Sequence, residues 1–270
     1  MSNGIKPFTG LVLTDYLRIR LHESSGQNIA WEGKLDGSAV SGSIDVLAAP
    51  TWTADHYVKA PASNTTVGTV FNDATVEALT AIPDTGGLAV FWVHKYSAKN
   101  GGSKTSQLFQ WGARGVGIGG YAFGYFDGVN LNIQASLMPK DGAAEVTANV
   151  NVTASTGVAV PVAMYFKSGY IAVAANGNWS SAQTATTSGA ARTKSDGLPT
   201  NQKMSLLSGH TSFSPATLNN RMNQEISDDF SQAEIMFVPD PDGTIETSMT
   251  ILARQHALYW RFLPIGLRNT

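Results

Sequence analysis

The chain has 270 residues, 43% of them hydrophobic and 14% charged, with a formal net charge of −2; this is enough apolar material for one large all-β domain or two small ones. The charge balance leaves no basic field to hold nucleic acid or an anionic membrane, and the longest apolar runs, such as Leu88–Val93, are far too short to cross a bilayer. Cysteine is absent, which excludes disulfides, thiolate metal ligands and a cysteine nucleophile and leaves packing and sheet hydrogen bonds to hold the fold.

The opening segment, MSNGIKPFTG, has no charged stretch followed by an apolar one, so a secretory signal is not expected. Tyr16–His22 then alternates, with Leu17, Ile19 and Leu21 on one face and Arg18, Arg20 and His22 on the other, before HESSGQN breaks the pattern. A lone N-terminal strand needs a partner. Residues 1–33 are therefore expected to form an arm that docks on a neighbouring subunit, with an edge strand of the main domain as the alternative.

From Lys34 strand-like runs become dense. Leu88–Tyr96 (LAVFWVHKY) is apolar on both faces through Trp92, which predicts a central strand covered on both sides. Gln107–Gly112 follows the polar, Gly-rich SAKNGGSKT. Tyr121–Phe126 and Val129–Leu137 flank Asp127-Gly128, a hairpin signal. Glu145–Val152, Val160–Lys167, Tyr170–Ala175 and Trp179–Thr186 come next, the last pair joined by Asn176-Gly177, whose residues suit positive φ. After an irregular segment, Lys203–Gly209 and Gln232–Val238 complete the series. Only the tail changes period: Met249, Leu252, Ala253 and His256 recur at three- and four-residue steps, predicting a helix over Thr247–Phe262. Many short strands with almost no helix between them predict an all-β fold, an antiparallel two-sheet jelly-roll sandwich over residues 34–243 with a helix and tail over 244–270.

GVGIGG matches G-x-G-x-x-G through Gly115, Gly117 and Gly120, but the aromatic alternation of YAFGYF follows it where a dinucleotide site needs a helix. It reads as a glycine-rich loop or bulged strand, and no cofactor is expected. The five histidines are scattered without metal-ligand spacing. PDPDG (Pro239–Gly243) brings two carboxylates to a turn, as weak calcium sites do, but Pro-Asp-Gly is also an ordinary turn sequence, and no metal is assigned. Glycoside hydrolysis needs paired carboxylates, and Glu225 and Asp229 share a face with Ser227 if QEISDDF is extended. A solvated polar edge accounts for the same residues. Three N-x-S/T sequons, at Asn64, Asn151 and Asn178, read as chance in an Asn- and Thr-rich chain. Trp52, Trp111, Tyr121, Tyr125 and Trp179 are candidates for a platform on which sugars stack, against the alternative of core or cross-strand pairs. Trp179, directly after a turn, is the leading one.

GGLAVFWVHKY, VAVPVAMYFKSGYIAVAANGNW and SQAEIMFVPD together resemble the concanavalin A-like lectin/glucanase superfamily in its laminin-G-like form, over about Leu35–Val238. The resemblance implies a domain that binds glycans, mediates protein contacts or hydrolyses polysaccharide. The chain departs from the enzymatic branch, whose same-face Glu-x-Asp-x-Glu motif Glu225, Ser227 and Asp229 do not reproduce. A cysteine-free, Gly/Ala/Thr-rich sandwich with an extra arm and no export signal also resembles virion proteins of tailed bacteriophages. The expectation is therefore a non-enzymatic virion structural protein on a capsid or tail. Its expected partners are other virion proteins, further copies of itself and host surface glycans, without nucleic acid or membrane insertion. A glycoside hydrolase using Glu225 and Asp229, and a carbohydrate-binding module, are the alternatives.

Overall fold

In the computed structural model of the chain, the described residues are 12–19, 28–45, 51–52, 58–59, 69–71, 74–96, 105–111, 120–126, 131–137, 146–152, 158–167, 170–179, 193, 204–206, 208–210, 221–226 and 230–262. In chain order they form β1 (Tyr16–Ile19), β2 (Asn28–Leu35), β3 (Ser38–Asp45), β4 (Thr51–Trp52), β5 (Val58–Lys59), β6 (Thr69–Phe71), α1 (Ala74–Thr80), β7 (Gly87–Tyr96), β8 (Thr105–Trp111) and β9 (Gly120–Phe126). Then follow β10 (Leu131–Leu137), β11 (Val146–Val152), β12 (Val160–Lys167), β13 (Tyr170–Ala175), β14 (Asn178–Trp179), β15 (Met204–Leu206), β16 (Ser208–His210), β17 (Arg221–Ile226), β18 (Phe230–Asp240) and α2 (Thr244–Phe262).

One sheet runs in the order β14-β13-β12-β7-β18-β1-β2-β3, with β5 on the start of β18 and β4 on β5; a second runs β11-β10-β9-β8-β15-β6. All registered pairs are antiparallel. The sheets pack face to face. Leu88, Val90 and Trp92 of β7, Met164 and Phe166 of β12, and Ile235 and Phe237 of β18 meet Ile133 and Ala135 of β10 and Val150 of β11 in one core. Val76, Leu79 and Ile82 of α1 and the residues after it join this core. Each large side chain taken fully out of water there contributes roughly 1.5–3 kcal/mol.

The other face of the larger sheet is buried too. Ala89, Phe91, Ala163, Tyr165, Ala174, Met236 and Val238 lie under Ile245, Met249, Leu252 and Ala253 of α2. Alanines at Ala89, Ala163 and Ala174 keep that surface low enough for a helix to seat on it. The fold is thus an all-β sandwich with a C-terminal helix. β7 is its central strand, covered on both sides, as its unbroken apolar run predicts.

The N-terminal strand differs from the expected arm. β1 lies between β18 and β2, pairing Leu17 with Phe237 and with Gly33. Leu17 and Ile19 are fully buried in the core, so the alternating strand closes the chain's own sheet. β2 and β3, inside and beyond the expected arm, form a hairpin through Asp36 (φ 51°) and Gly37 (φ 74°), the geometry a two-residue turn requires. Asn176 (φ 50°) and Gly177 (φ 79°) make the same turn between β13 and β14.

The helix begins three residues before its predicted start because the PDPDG carboxylates cap it. Asp242 Oδ1 accepts from the Thr244 amide at 3.0 Å, Asp240 Oδ1 from Ile245 at 2.9 Å and Asp240 Oδ2 from Glu246 at 2.9 Å. Hydrogen bonding to the backbone amide of Thr244 lowers the pKa of Asp242. Gly86 enters β7 at φ 73°, and a β-carbon there would run into the backbone carbonyl of Asp240. Gly86→Ala is therefore expected to cost several kcal/mol, combining positive-φ strain of roughly 1–2 kcal/mol with a backbone clash. A urea midpoint within error of the parent's would show that the turn relaxes freely.

Candidate functional site

Strand β9, GYAFGYF, alternates Gly120, Ala122 and Gly124 with Tyr121, Phe123 and Tyr125. Cross-strand register decides which set faces the core. Ile133 and Ala135 of β10 are fully buried, and they pair with Gly124 and Ala122 of β9 and with Val150 and Ala148 of β11. The aromatic positions therefore fall on the face away from the core. Three cross-strand rows share it. Thr105, Tyr125, Asn132 and Asn151 form the first; Gln107, Phe123, Gln134 and Asn149 the second; Gln110, Tyr121, Ser136 and Thr147 the third. A bulge between Gln107 and Phe109 keeps Gln110 in this set. The strand thus inverts the usual arrangement, with small residues on the core side and large aromatics on the far side. Aromatic positions on the non-core face of a sheet are the informative deviation, since core-facing ones need no further explanation.

The aromatic candidates separate. Tyr121, Phe123 and Tyr125 occupy register positions on this face. Trp111 registers with Met204 and sits two residues beyond Phe109, which pairs with Ala122; it takes a core-side position. Trp179 belongs to the other sheet, half-buried against the residues under α2, and its Nε1 has no hydrogen-bond partner among the described residues. Trp52 lies in the two-residue β4. Of the paired acids, Glu225 is in β17, which registers with β16 in a separate two-stranded sheet, and Asp229 lies outside the described residues. In GVGIGG only Gly120 is described, and it opens a strand.

Paired polar side chains tie the larger sheet together and to α2. Arg18 donates to Glu234 from Nε at 2.9 Å and from Nη2 at 2.7 Å, and its Nη1 lies 3.5 Å from Glu32. Burial opposes the Arg18 charge, but the adjoining Glu234 carboxylate outweighs it and drives the pKa up. Lys167 pairs with Glu246 at 2.6 Å and stands 5.2 Å from the centre of the Tyr170 ring, tying the end of β12 to the first turn of α2. Tyr165 donates its hydroxyl to Asp240 at 2.7 Å, and burial followed by this carboxylate raises its pKa. Among the described residues no group of three or more His, Cys, Asp or Glu is placed to hold a metal ion.

No protein-family model matches the chain, and no curated protein matches it. Solved structures do. The sialidase of Trypanosoma rangeli in complex with sialic acid is 12% identical at a TM-score of 0.50, over 93% of this chain and 33% of that one. The same sialidase with 2,3-difluoro-KDN gives 12% and 0.50, over 96% and 35%. The CBM40 of a Ruminococcus gnavus IT-sialidase is 14% identical at a TM-score of 0.45, over 68% and 92%. The chain spans about a third of the length of the sialidase it matches. At these identities the likeness is one of fold.

Proposed function

We propose that this chain is a non-catalytic, concanavalin A-like carbohydrate-binding sandwich whose platform is the non-core face of the six-stranded sheet. The observation that carries the reading is the register of β9, which sets Tyr121, Phe123 and Tyr125 in one line between rows of amides and hydroxyls. Aromatic rings offer apolar faces to the C–H faces of sugars, while amides and hydroxyls match sugar hydroxyls as both donors and acceptors. The fold likeness to a sialidase crystallised with sialic acid is compatible with such a role. Asp240, Glu234 and Glu246 serve caps and ion pairs. A virion location rests on composition and resemblance and draws nothing from the fold likeness; a glycan-binding sandwich is compatible with it.

Glycan-array screening followed by calorimetry tests the reading. Tyr121→Ala and Tyr125→Ala are each expected to lower affinity roughly tenfold, a loss on the order of 1 to 2 kcal/mol. Silence across a broad panel would count against the platform. Release of reducing ends that disappears in Glu225→Gln would replace it with the hydrolase.

A further inference from the structure

We propose that β3 is a contact between two copies of this chain, which pair their β3 strands antiparallel into one continuous sheet across a two-fold axis. β3 ends the larger sheet at one side, and the two-residue β14 ends it at the other. All eight residues of β3 register with β2 without a shift, whereas the interior strands β8 and β18 carry bulges. Ser38, Ala39, Ser41 and Gly42 are exposed, and at Gly42 what is exposed is backbone. An edge strand presents a row of N–H and C=O groups that another strand can take up, and edges built to avoid this carry lysine, proline or a bulge. SAVSGSID has none of these. Gly42 is also held to glycine, because a β-carbon there would run into the indole of Trp31, which belongs to the core beside it. The edge is long, regular and flat, and an extended backbone is the occupant it fits.

The residues of β3 select a second copy over an unrelated strand. An unrelated strand is recognised through side-chain pockets along the edge, and the exposed residues of β3 are too small to build them. Two copies need only match small residues with small ones. A two-fold axis normal to the sheet sets positions of the same face opposite one another. Ala39, Ser41 and Ser43 then meet their counterparts on the α2 side, and Ser38, Val40, Gly42 and Ile44 meet theirs on the core side. The one charged residue, Asp45, lies at the strand's end. With the axis near Ser41, the two Asp45 positions stand roughly 26 Å apart at about 3.3 Å per residue, well beyond the Debye length. The same axis leaves the β9 faces of both copies pointing one way. On the carbohydrate-binding reading the dimer therefore offers two platforms to one surface, although the dimer itself does not rest on that reading.

Sedimentation equilibrium on the full chain tests this. The expected result is a reversible dimer with a dissociation constant on the order of 10–100 μM, modest because the contact is backbone and small side chains. Backbone amides of residues 38–45 should exchange more slowly as concentration rises through that range. Ser41→Lys, at an exposed position, should weaken dimerisation at least roughly tenfold by placing two ammonium groups across the axis, with its urea midpoint near the parent's. Ser41→Cys gives the chain its sole thiol, and its disulfide-linked dimer should form at least about tenfold faster than that of Thr247→Cys, exposed on α2. A chain that stays monomeric up to millimolar concentration overturns the proposal. A dimer that Ser41→Lys leaves intact, or cross-linking no faster at Ser41 than at Thr247, overturns the placement on β3. So does a dimer lost in Asn149→Lys of β11, an end strand of the other sheet, and kept in Ser41→Lys.

Discussion

Asp240→Ala is expected to be among the most damaging single substitutions in this protein, lowering stability by about 3 to 5 kcal/mol. Asp240 is buried at the junction of β18 and α2, and its two carboxylate oxygens accept three hydrogen bonds. Two come from the first-turn amides Ile245 and Glu246, which have no acceptor within the helix; losing such a cap costs roughly 0.5–2 kcal/mol. The negative charge also faces the positive end of the α2 dipole, and α2 is a 19-residue helix. The third comes from the Tyr165 hydroxyl, which Ala would strand inside the protein, at a further cost of roughly 1–3 kcal/mol. Loosening this end of α2 also exposes the apolar surface that Ile245 and Met249 share with Phe91 and Tyr165. Asp240→Asn, which keeps one acceptor oxygen, should fall between Ala and the parent. Tyr165→Phe should rescue part of the loss in a double-mutant cycle, because the hydroxyl no longer needs a partner. Urea midpoints at constant m-value check this, and a cost for Asp240→Ala below about 1 kcal/mol would show that water replaces the carboxylate.

The strands that define this sandwich were legible where hydrophobicity is high and turns are short. LAVFWV reads as a doubly covered strand, and Asn176-Gly177 marks the β13–β14 reversal. The β2–β3 hairpin was not legible, although Asp36-Gly37 carries the same signal. Its outer strand, SAVSGSID, is the sheet edge, where small and polar residues suffice and alternation is weak; NIAWEGKL does alternate, burying Ile29 and Trp31, but it straddles the expected arm boundary at residue 33 and so reads apart from its neighbour. Helix α1, seven residues long, is shorter than two full turns and shows little periodicity. PDPDG reads in sequence as a turn that brings two carboxylates together, and only the position of α2 above it makes both of them helix caps. The candidate face shows the deeper limit. Alternating aromatics in GYAFGYF were plain, but a single strand does not say which of its two faces meets the core. That depends on Ile133 and Ala135 one strand away. Trp179 looked exposed because it follows a turn, yet the turn folds back beneath α2, with Gly177 close to Arg254 and Ala257.

Acid is expected to unfold this protein well before its carboxylates are fully protonated, because two histidines are buried neutral. Burial holds His94 at about 3 and His256 at about 4, against about 6.5 for the unfolded chain. His94 Nδ1 accepts the Trp92 indole N–H at 3.0 Å, so protonating it there also removes a buried hydrogen bond. His256 on α2 stands 5.5 Å from the Phe91 ring, with Glu234 favouring its charge and Arg18 opposing it. Both pKa values are depressed on folding. Above pH 6.5 both states are neutral and these groups leave stability unchanged. Below it the unfolded chain binds protons that the folded chain refuses, and each histidine removes about 1.4 kcal/mol per pH unit until its folded pKa is reached. At pH 4.5 the two together withdraw about 5 kcal/mol, a large share of the 5–15 kcal/mol typical of a whole domain. Chemical denaturation between pH 7.5 and 4.5 should therefore show a falling midpoint that begins near pH 6.5. His256→Gln and His94→Gln should each flatten the slope by about one proton's worth, the second keeping an acceptor for Trp92. A pH dependence that starts only below about 5, or that survives both substitutions unchanged, would assign acid lability to the carboxylates instead.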